Sequence, residues 1–196
     1  VKSKIALAVA AAALAVPALA QTSNWRLDEA HTHASFTIRH LVITSVRGEF
    51  GKVSGSLVLD EKDVSKSRVE AVIDAASINT RIADRDNHLR SPDFFDVAKY
   101  PTITFKSTKV ERAGEGKLKV TGDLTMHGVT KPVTLDVLGP TAEVKDPWGN
   151  TRRGIAASAT LDRRDWGLTW SKMVEAGPVV GNEVKLEIES ELLMQK

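Results

Sequence analysis

From Trp25 to Leu193, short runs of alternating apolar and polar residues recur, separated by turn-forming residues. Leu118, Val120, Gly122, Leu124 and Met126 alternate with Lys117, Lys119, Thr121, Asp123 and Thr125. Val184, Leu186 and Ile188 alternate with Glu183, Lys185, Glu187 and Glu189, and Ala34, Phe36 and Ile38 with Ser35, Thr37 and Arg39. Shorter runs occur at Trp25/Leu27, Leu57/Leu59, Val69/Ala71/Ile73, Ile103/Phe105, Val133/Leu135/Val137 and Ile155/Ala157/Ala159/Leu161. A period of two puts successive side chains on opposite faces of a strand. The pattern therefore predicts about eight or nine strands, each apolar on one face and polar on the other, as in an antiparallel sheet wetted on one side. Gly114-Glu115-Gly116 reads as a hairpin turn and Asp146-Pro147-Trp148-Gly149-Asn150 as a loop. Only the stretch from Ile82 to Ser91 breaks the period; it predicts one short helix, stopped by Pro92 and capped by Thr80 or Asn79. No linker or second compositional regime interrupts the pattern, so residues 21–196 read as one domain.

Two strands carry an internal glycine in similar settings, Val53-Ser54-Gly55-Ser56-Leu57 and Val120-Thr121-Gly122-Asp123-Leu124. Glycine within a strand marks a bulge or sharp bend. Two such strands suggest a sheet that curls and closes into a barrel. The apolar positions are filled mostly by medium and small residues, and aromatics are 5% of the chain, which favours a hollow interior over a filled one. Strands of roughly 9–10 residues, rising about 3.4 Å each and tilted about 40°, make a tube about 25 Å tall, suited to a long hydrocarbon chain. Strand parity nominates Phe36, Ile38, Leu57, Leu59, Ile73, Phe105, Leu118, Val120, Leu124 and Leu135 as lumen residues. Phe94 and Phe95 are candidates to cover one mouth, and His40 and Arg163 to offer polar contacts beside an opening. For each of these the competing role is ordinary core packing or a structural hydrogen bond.

The first 20 residues have a different character. Lys2 and Lys4 precede an Ala/Leu/Val/Ile run from Ile5 to Val16, followed by Pro17-Ala18-Leu19-Ala20. A cationic start, a short apolar run and a small-x-small site predict a secretory signal peptide cleaved after Ala20, hence a periplasmic protein. The run falls short of the roughly 20 residues of a membrane span, so no stable span is expected. Setting aside Lys2 and Lys4 takes the 27 basic residues to 25, equal to the 25 acidic ones. A neutral body has no electrostatic reason to seek nucleic acid. The chain has no cysteine, which excludes disulfides, thiolate nucleophiles and cysteine-ligated metals.

Catalytic and metal chemistry find little support. His31-x-His33 sets two imidazoles on one strand with His40 further on, a pattern compatible with zinc or copper. However, Asp28-Glu29-Ala30-His31 also reads as an exposed turn leading into a strand. His88 reads as packing under a loop, and His127, beside Gly128, as a turn residue. No Gly-x-Ser-x-Gly elbow occurs, and Asp162-Arg163-Arg164-Asp165 reads as a salt-bridged turn. Neither metal, cofactor nor catalytic residue is expected. The alternatives are a lipid-directed or metal-dependent hydrolase, and a stress-related barrel with a filled core and no ligand.

Several ordered segments carry a resemblance. His40-Leu41 precedes Val46-Arg47-Gly48-Glu49-Phe50, and Asp74-Ala75-Ala76-Ser77-Ile78-Asn79-Thr80 follows a strand. The run from Arg85 to Phe95 leads into Lys99-Tyr100-Pro101-Thr102-Ile103-Thr104-Phe105. The run from Gly122 to Val133, then Arg163-Arg164-Asp165-Trp166-Gly167 and Val180-Gly181-Asn182-Glu183-Val184, complete the set. In this order and spacing the chain resembles the YceI-like polyisoprenoid-binding proteins from about Trp25 to Glu191. Trp166 stands where Phe is more usual in that family, and Asn182 where Asp is common. The resemblance implies an all-β fold: an elongated, antiparallel, eight-stranded, lipocalin-like barrel with one short helix. It also implies an isoprenoid or related long-chain lipid in the lumen, a periplasmic setting and a homodimer. The lipocalin Gly-x-Trp signature is missing at Trp25, so the likeness to lipocalins is one of architecture.

Overall fold

A computed structural model of the chain describes residues 22–195; the predicted leader, residues 1–20, lies outside them. The strands are β1 (Thr22–His40), β2 (Thr44–Phe50), β3 (Val53–Asp60), β4 (Arg68–Asp74), β5 (Ile78–Asn79), β6 (Thr102–Arg112), β7 (Lys117–Met126), β8 (Val129–Leu138), β9 (Val144–Lys145), β10 (Thr151–Asp162), β11 (Met173–Val174), β12 (Gly177–Pro178) and β13 (Val180–Met194). Among the described residues one α-helix, α1 (Ala83–Arg90), lies between β5 and β6. Neighbouring strands run in the order β13-β10-β8-β7-β6-β4-β3-β1, all antiparallel, and pairing of β13 with β1 closes the ring. Strand β2 pairs with the second half of β1 and β3 with the first half, so β2 and β3 form one bent stave. The result is a closed barrel of eight staves. Antiparallel register gathers the β1–β2 turn, α1, the β7–β8 turn and the segment after β10 at one end, called the upper end here. The β3–β4, β6–β7 and β8–β10 connections lie at the lower end. Among the described residues no helix is long and apolar enough to cross a membrane.

Alternation decides which residues face in. On β7, Val120, Leu124 and Met126 are buried while Lys117, Lys119 and Asp123 are exposed. The predicted turn at Asp28–His31 is instead a bulge within one 19-residue strand: the β1–β13 register shifts between Leu27 and Thr32, and the Thr32 hydroxyl donates to the Asp28 carbonyl at 2.7 Å. The extra residues stay in the strand because Arg152 reaches Asp28 from β10 and holds the bulge against the barrel. The expected helix cap also differs. Ile82 precedes α1, and Thr80 gives its amide and hydroxyl to the Asp86 carboxylate (2.8 and 2.5 Å) rather than capping the first turn. Asn79 accepts the Arg81 amide.

One seam of the barrel is short. Strands β8 and β10 pair at only Ala156–Ser158 opposite Asp136–Leu138, whereas β10 and β13 stay in register from Arg152 to Asp162. Above the three paired positions the turn Arg163–Trp166 fills the gap. The Trp166 side chain is 2% exposed; its indole N–H donates to the Leu124 carbonyl at 3.0 Å, and His127 Nδ1 donates to the Trp166 carbonyl at 3.1 Å. The turn ends at Gly167, in the left-handed region (φ 75°), as an L side chain rarely does.

Candidate functional site

The barrel is hollow. A cavity of about 430 Å³ runs along its axis, walled by every stave. This volume lies within the range of small-molecule sites, about 300–1,000 Å³. All ten residues nominated by strand parity stand on its wall. Seven of them, Phe36, Ile38, Leu57, Ile73, Phe105, Leu118 and Leu135, are only half-buried although they point inward; Leu59, Val120 and Leu124 are buried. In a filled core such residues would be covered by neighbours; here their free surface faces the void. Parity did not nominate Val46 or Phe50, which also line the cavity, because the periodic runs identified in the sequence omit the segment Thr44–Phe50. The signal was present: Val46, Gly48 and Phe50 alternate with Arg47 and Glu49.

The two strand glycines, Gly55 and Gly122, do not face open lumen as free space. A Cβ at Gly122 would stand 2.5 Å from the Lys106 carbonyl oxygen and 2.5 Å from the Phe105 ring; one at Gly55 would stand 2.4 Å from the Glu70 carbonyl. Gly122 pairs with Ser107 where the β6–β7 register shifts, so a bulge accompanies it. The missing side chain lets the Phe105 ring lie over the strand and into the cavity.

Ser67 and Arg68 border the cavity at the lower end, and polar and aromatic groups border the upper mouth. His40, Arg85, His88, Phe94, Phe95, Arg163 and Trp170 all border the cavity there. His88 Nε2 donates to the Asp93 carboxylate at 2.8 Å, and its ring stands edge-on to Phe94 and Trp170, with centroids 5.0 and 4.9 Å away. Phe95 packs edge-on against Phe50, 5.6 Å between centroids. Thus α1 and the segment after it form an aromatic cover over this end. Arg85 donates through Nε and one Nη to Thr80. Arg163 is 4% exposed, and its guanidinium donates to the carbonyls of Gly181 (2.8 Å) and Leu168, so the role as a free polar contact gives way to a structural one. Burial lowers its pKa from the ordinary arginine value. The salt-bridged turn forms on one side only: Arg164 pairs with Asp162 at 2.5 Å and holds that carboxyl at about 2, while Arg163 turns inward. Trp170 and Arg85 escaped sequence reading because their place at the mouth depends on packing between segments far apart in the chain.

One group of side chains has the spacing of metal ligands. Asp28, His31 and Glu191 bring donor atoms within 4.8 Å of one another near the bulge in β1; His33 is not among them. The Arg152 guanidinium already stands between the carboxylates, 2.6 Å from Asp28 and 2.7 Å from Glu191, where a metal ion would have to sit. Hydrogen bonds from Arg152 and then His31 hold Asp28 at about 2. Although burial opposes its ionisation, Asp146 is kept well below the carboxylate range by Arg152 and Asn150. The donor set is that of an ion-pair clamp joining β1, β10, β13 and the Asp146 loop.

Residues 25–192 match the family model described as the YceI-like domain. A UPF0312 protein of Vibrio parahaemolyticus is 40% identical over 181 residues, covering 91% of this chain and 90% of the relative. The crystal structure of Burkholderia cenocepacia BcnA superposes with a TM-score of 0.73 at 22% identity, covering 84% of this chain and 98% of BcnA. A structure described as a polyisoprenoid binding domain from Saccharophagus degradans, implicated in plant cell wall breakdown, superposes with a TM-score of 0.63 at 20% identity, covering 87% and 98% of the two chains. With the barrel, its short helix and the family match agreeing over nearly all the described residues, the chain belongs to the YceI-like family.

Proposed function

We propose that this protein is a periplasmic carrier that holds a long-chain isoprenoid lipid in the barrel lumen. The observation that carries this reading is the apolar cavity walled by all eight staves, with His40, Arg85 and His88 at its upper mouth. Burying hydrocarbon contributes about 0.8 kcal/mol per CH₂ group. About a dozen carbons then contribute about 10 kcal/mol against the cost of ordering the chain. A branched isoprenoid chain fits a lumen lined by branched and aromatic side chains, and its polar end would meet His40, Arg85 and His88. The relative described as a polyisoprenoid binding domain supports the ligand class. The protein acts as a binder rather than a catalyst: the wall around Phe36, Leu57, Phe105, Leu124 and Leu135 is hydrocarbon and offers a substrate no acid, base or nucleophile.

Organic extraction of protein purified from its own periplasm, followed by mass spectrometry, tests the reading and names the ligand. The expected result is an isoprenoid lipid in near-stoichiometric amount. A lipid-free protein that also fails to take up a fluorescent polyisoprenoid would overturn it.

A further inference from the structure

Building on the lumen reading above, we propose that the upper rim of the barrel is a docking surface for an anionic lipid bilayer. Ile43 and Met173 are 73% and 74% exposed, and Val42 and Val174 stand beside them, 54% and 44% exposed. The four come from two segments, the β1–β2 turn and the β11–β12 hairpin. These segments touch: the Leu41 amide donates to the Val179 carbonyl at 2.9 Å, and a Cβ at Gly177 would lie 3.4 Å from Val42 Cγ2. Both segments border the cavity, through His40 and Val46 on one and Trp170 and Val179 on the other. The exposed apolar surface and the mouth are therefore continuous.

The turn is held with its apolar side chains outward. Leu41 and Val42 both adopt left-handed backbone, φ 51° and 64°, unusual for any L residue and more so for a β-branched one. Arg39 pins it by donating to the Val42 carbonyl at 2.7 Å. Around this tip, residues 39–47 and 170–178 carry Arg39, Arg47 and Lys172 against the single acid Glu175. An apolar tip flanked in the chain by three cations and one acid matches a bilayer surface: the side chains enter the acyl boundary while the cations meet anionic headgroups. A two-fold contact with a second copy would instead bring the same cations face to face. Seating this rim on a membrane puts the mouth of the lumen where lipid could pass without crossing water.

The test is co-sedimentation with vesicles of phosphatidylcholine alone and of phosphatidylcholine with phosphatidylglycerol. Wild-type protein is expected to bind the anionic vesicles at least tenfold more tightly, with the difference shrinking as salt rises. The double variant Ile43→Asp/Met173→Asp is expected to lose at least tenfold in vesicle affinity. Its urea midpoint should stay in place, because both side chains are exposed, and so should its uptake of a fluorescent polyisoprenoid in the absence of vesicles. Docking is overturned if wild-type protein ignores both vesicles, or if the double variant binds them equally well. It is also overturned if Trp148→Asp, at the 81% exposed tryptophan of the lower end, abolishes binding instead. A wild-type dimer dissolved by the double variant would assign the patch to a second copy and refute docking. Protein that docks but takes up no polyisoprenoid would uphold the rim and refute the lumen reading alone.

Discussion

Replacing Trp166 by alanine should open the weakest seam of the barrel. Only three residue pairs join β8 to β10, and the indole fills the gap above them. Removing a buried tryptophan side chain costs about 3–5 kcal/mol through lost contacts and the cavity left behind. The bond from its N–H to the Leu124 carbonyl falls within that loss and contributes about 1 kcal/mol of it. For a domain of about this size each kcal/mol moves the midpoint of thermal unfolding by about 2–4 °C. Trp166→Ala should therefore lower it by about 6–20 °C. Trp166→Phe keeps most of the ring but loses the donor, and should cost about 1–2 kcal/mol. Urea titration followed by far-ultraviolet circular dichroism measures both; an unchanged slope with denaturant shows that the denatured state is unaffected. His127→Ala removes the other bond to this turn, and its effect should fall short of additive when combined with Trp166→Ala, since the two groups share one lock. A loss below about 1 kcal/mol in Trp166→Ala would refute the claim that this side chain closes the barrel.

Leu124→Trp should plug the lumen towards its upper end: displacing three or four CH₂ groups of a bound chain costs about 2.5–3 kcal/mol, about a hundredfold in affinity, and unchanged uptake of a fluorescent polyisoprenoid would count against the lumen map. Asp28→Asn should reveal the clamp through pH. The folded-state pKa of Asp28 is depressed from 3.8 to about 2, so its contribution is present above pH 4 and disappears as pH falls through 2. Discounted for solvent screening, that contribution is about 1–2 kcal/mol, and stability curves of wild type and variant that fail to converge on acidification would exclude it. Gly122→Val should cost at least about 1–3 kcal/mol, because its Cβ meets a backbone carbonyl and the Phe105 ring at 2.5 Å. Gly154→Ala meets only Thr141, at 3.5 Å, and should be neutral or stabilising by up to about 1 kcal/mol; denaturation of the two variants side by side separates packing from a general intolerance of side chains in strands.

How far the lumen could be read from the chain alone follows from how local each signal is. Parity in a strand needs no knowledge of the neighbouring strand: a period of two sends Leu118, Val120 and Leu124 to one face whatever lies beside them. That is why the wall was legible without the topology. Strand β2 was not, because one of its inward positions is Gly48, and the reason lies twelve residues away: a Cβ there would stand 2.4 Å from the Phe36 ring. The bulge at Asp28 reads locally as a polar turn; it becomes part of a strand only because Arg152, 124 residues further on, supplies a charged partner. The same distance separates reading from structure at the mouth. His88 has an unremarkable helical setting until Trp170 packs on it, and Arg163 resembles a surface cation until Gly181 and Leu168 turn their carbonyls towards it. The walls of this barrel are thus specified by nearest-neighbour patterning, while its bulge, seam and mouth are specified by pairs that meet only once the ring has closed. Substitutions at the wall should therefore act on what the lumen holds, and substitutions at the seam on whether there is a closed lumen at all.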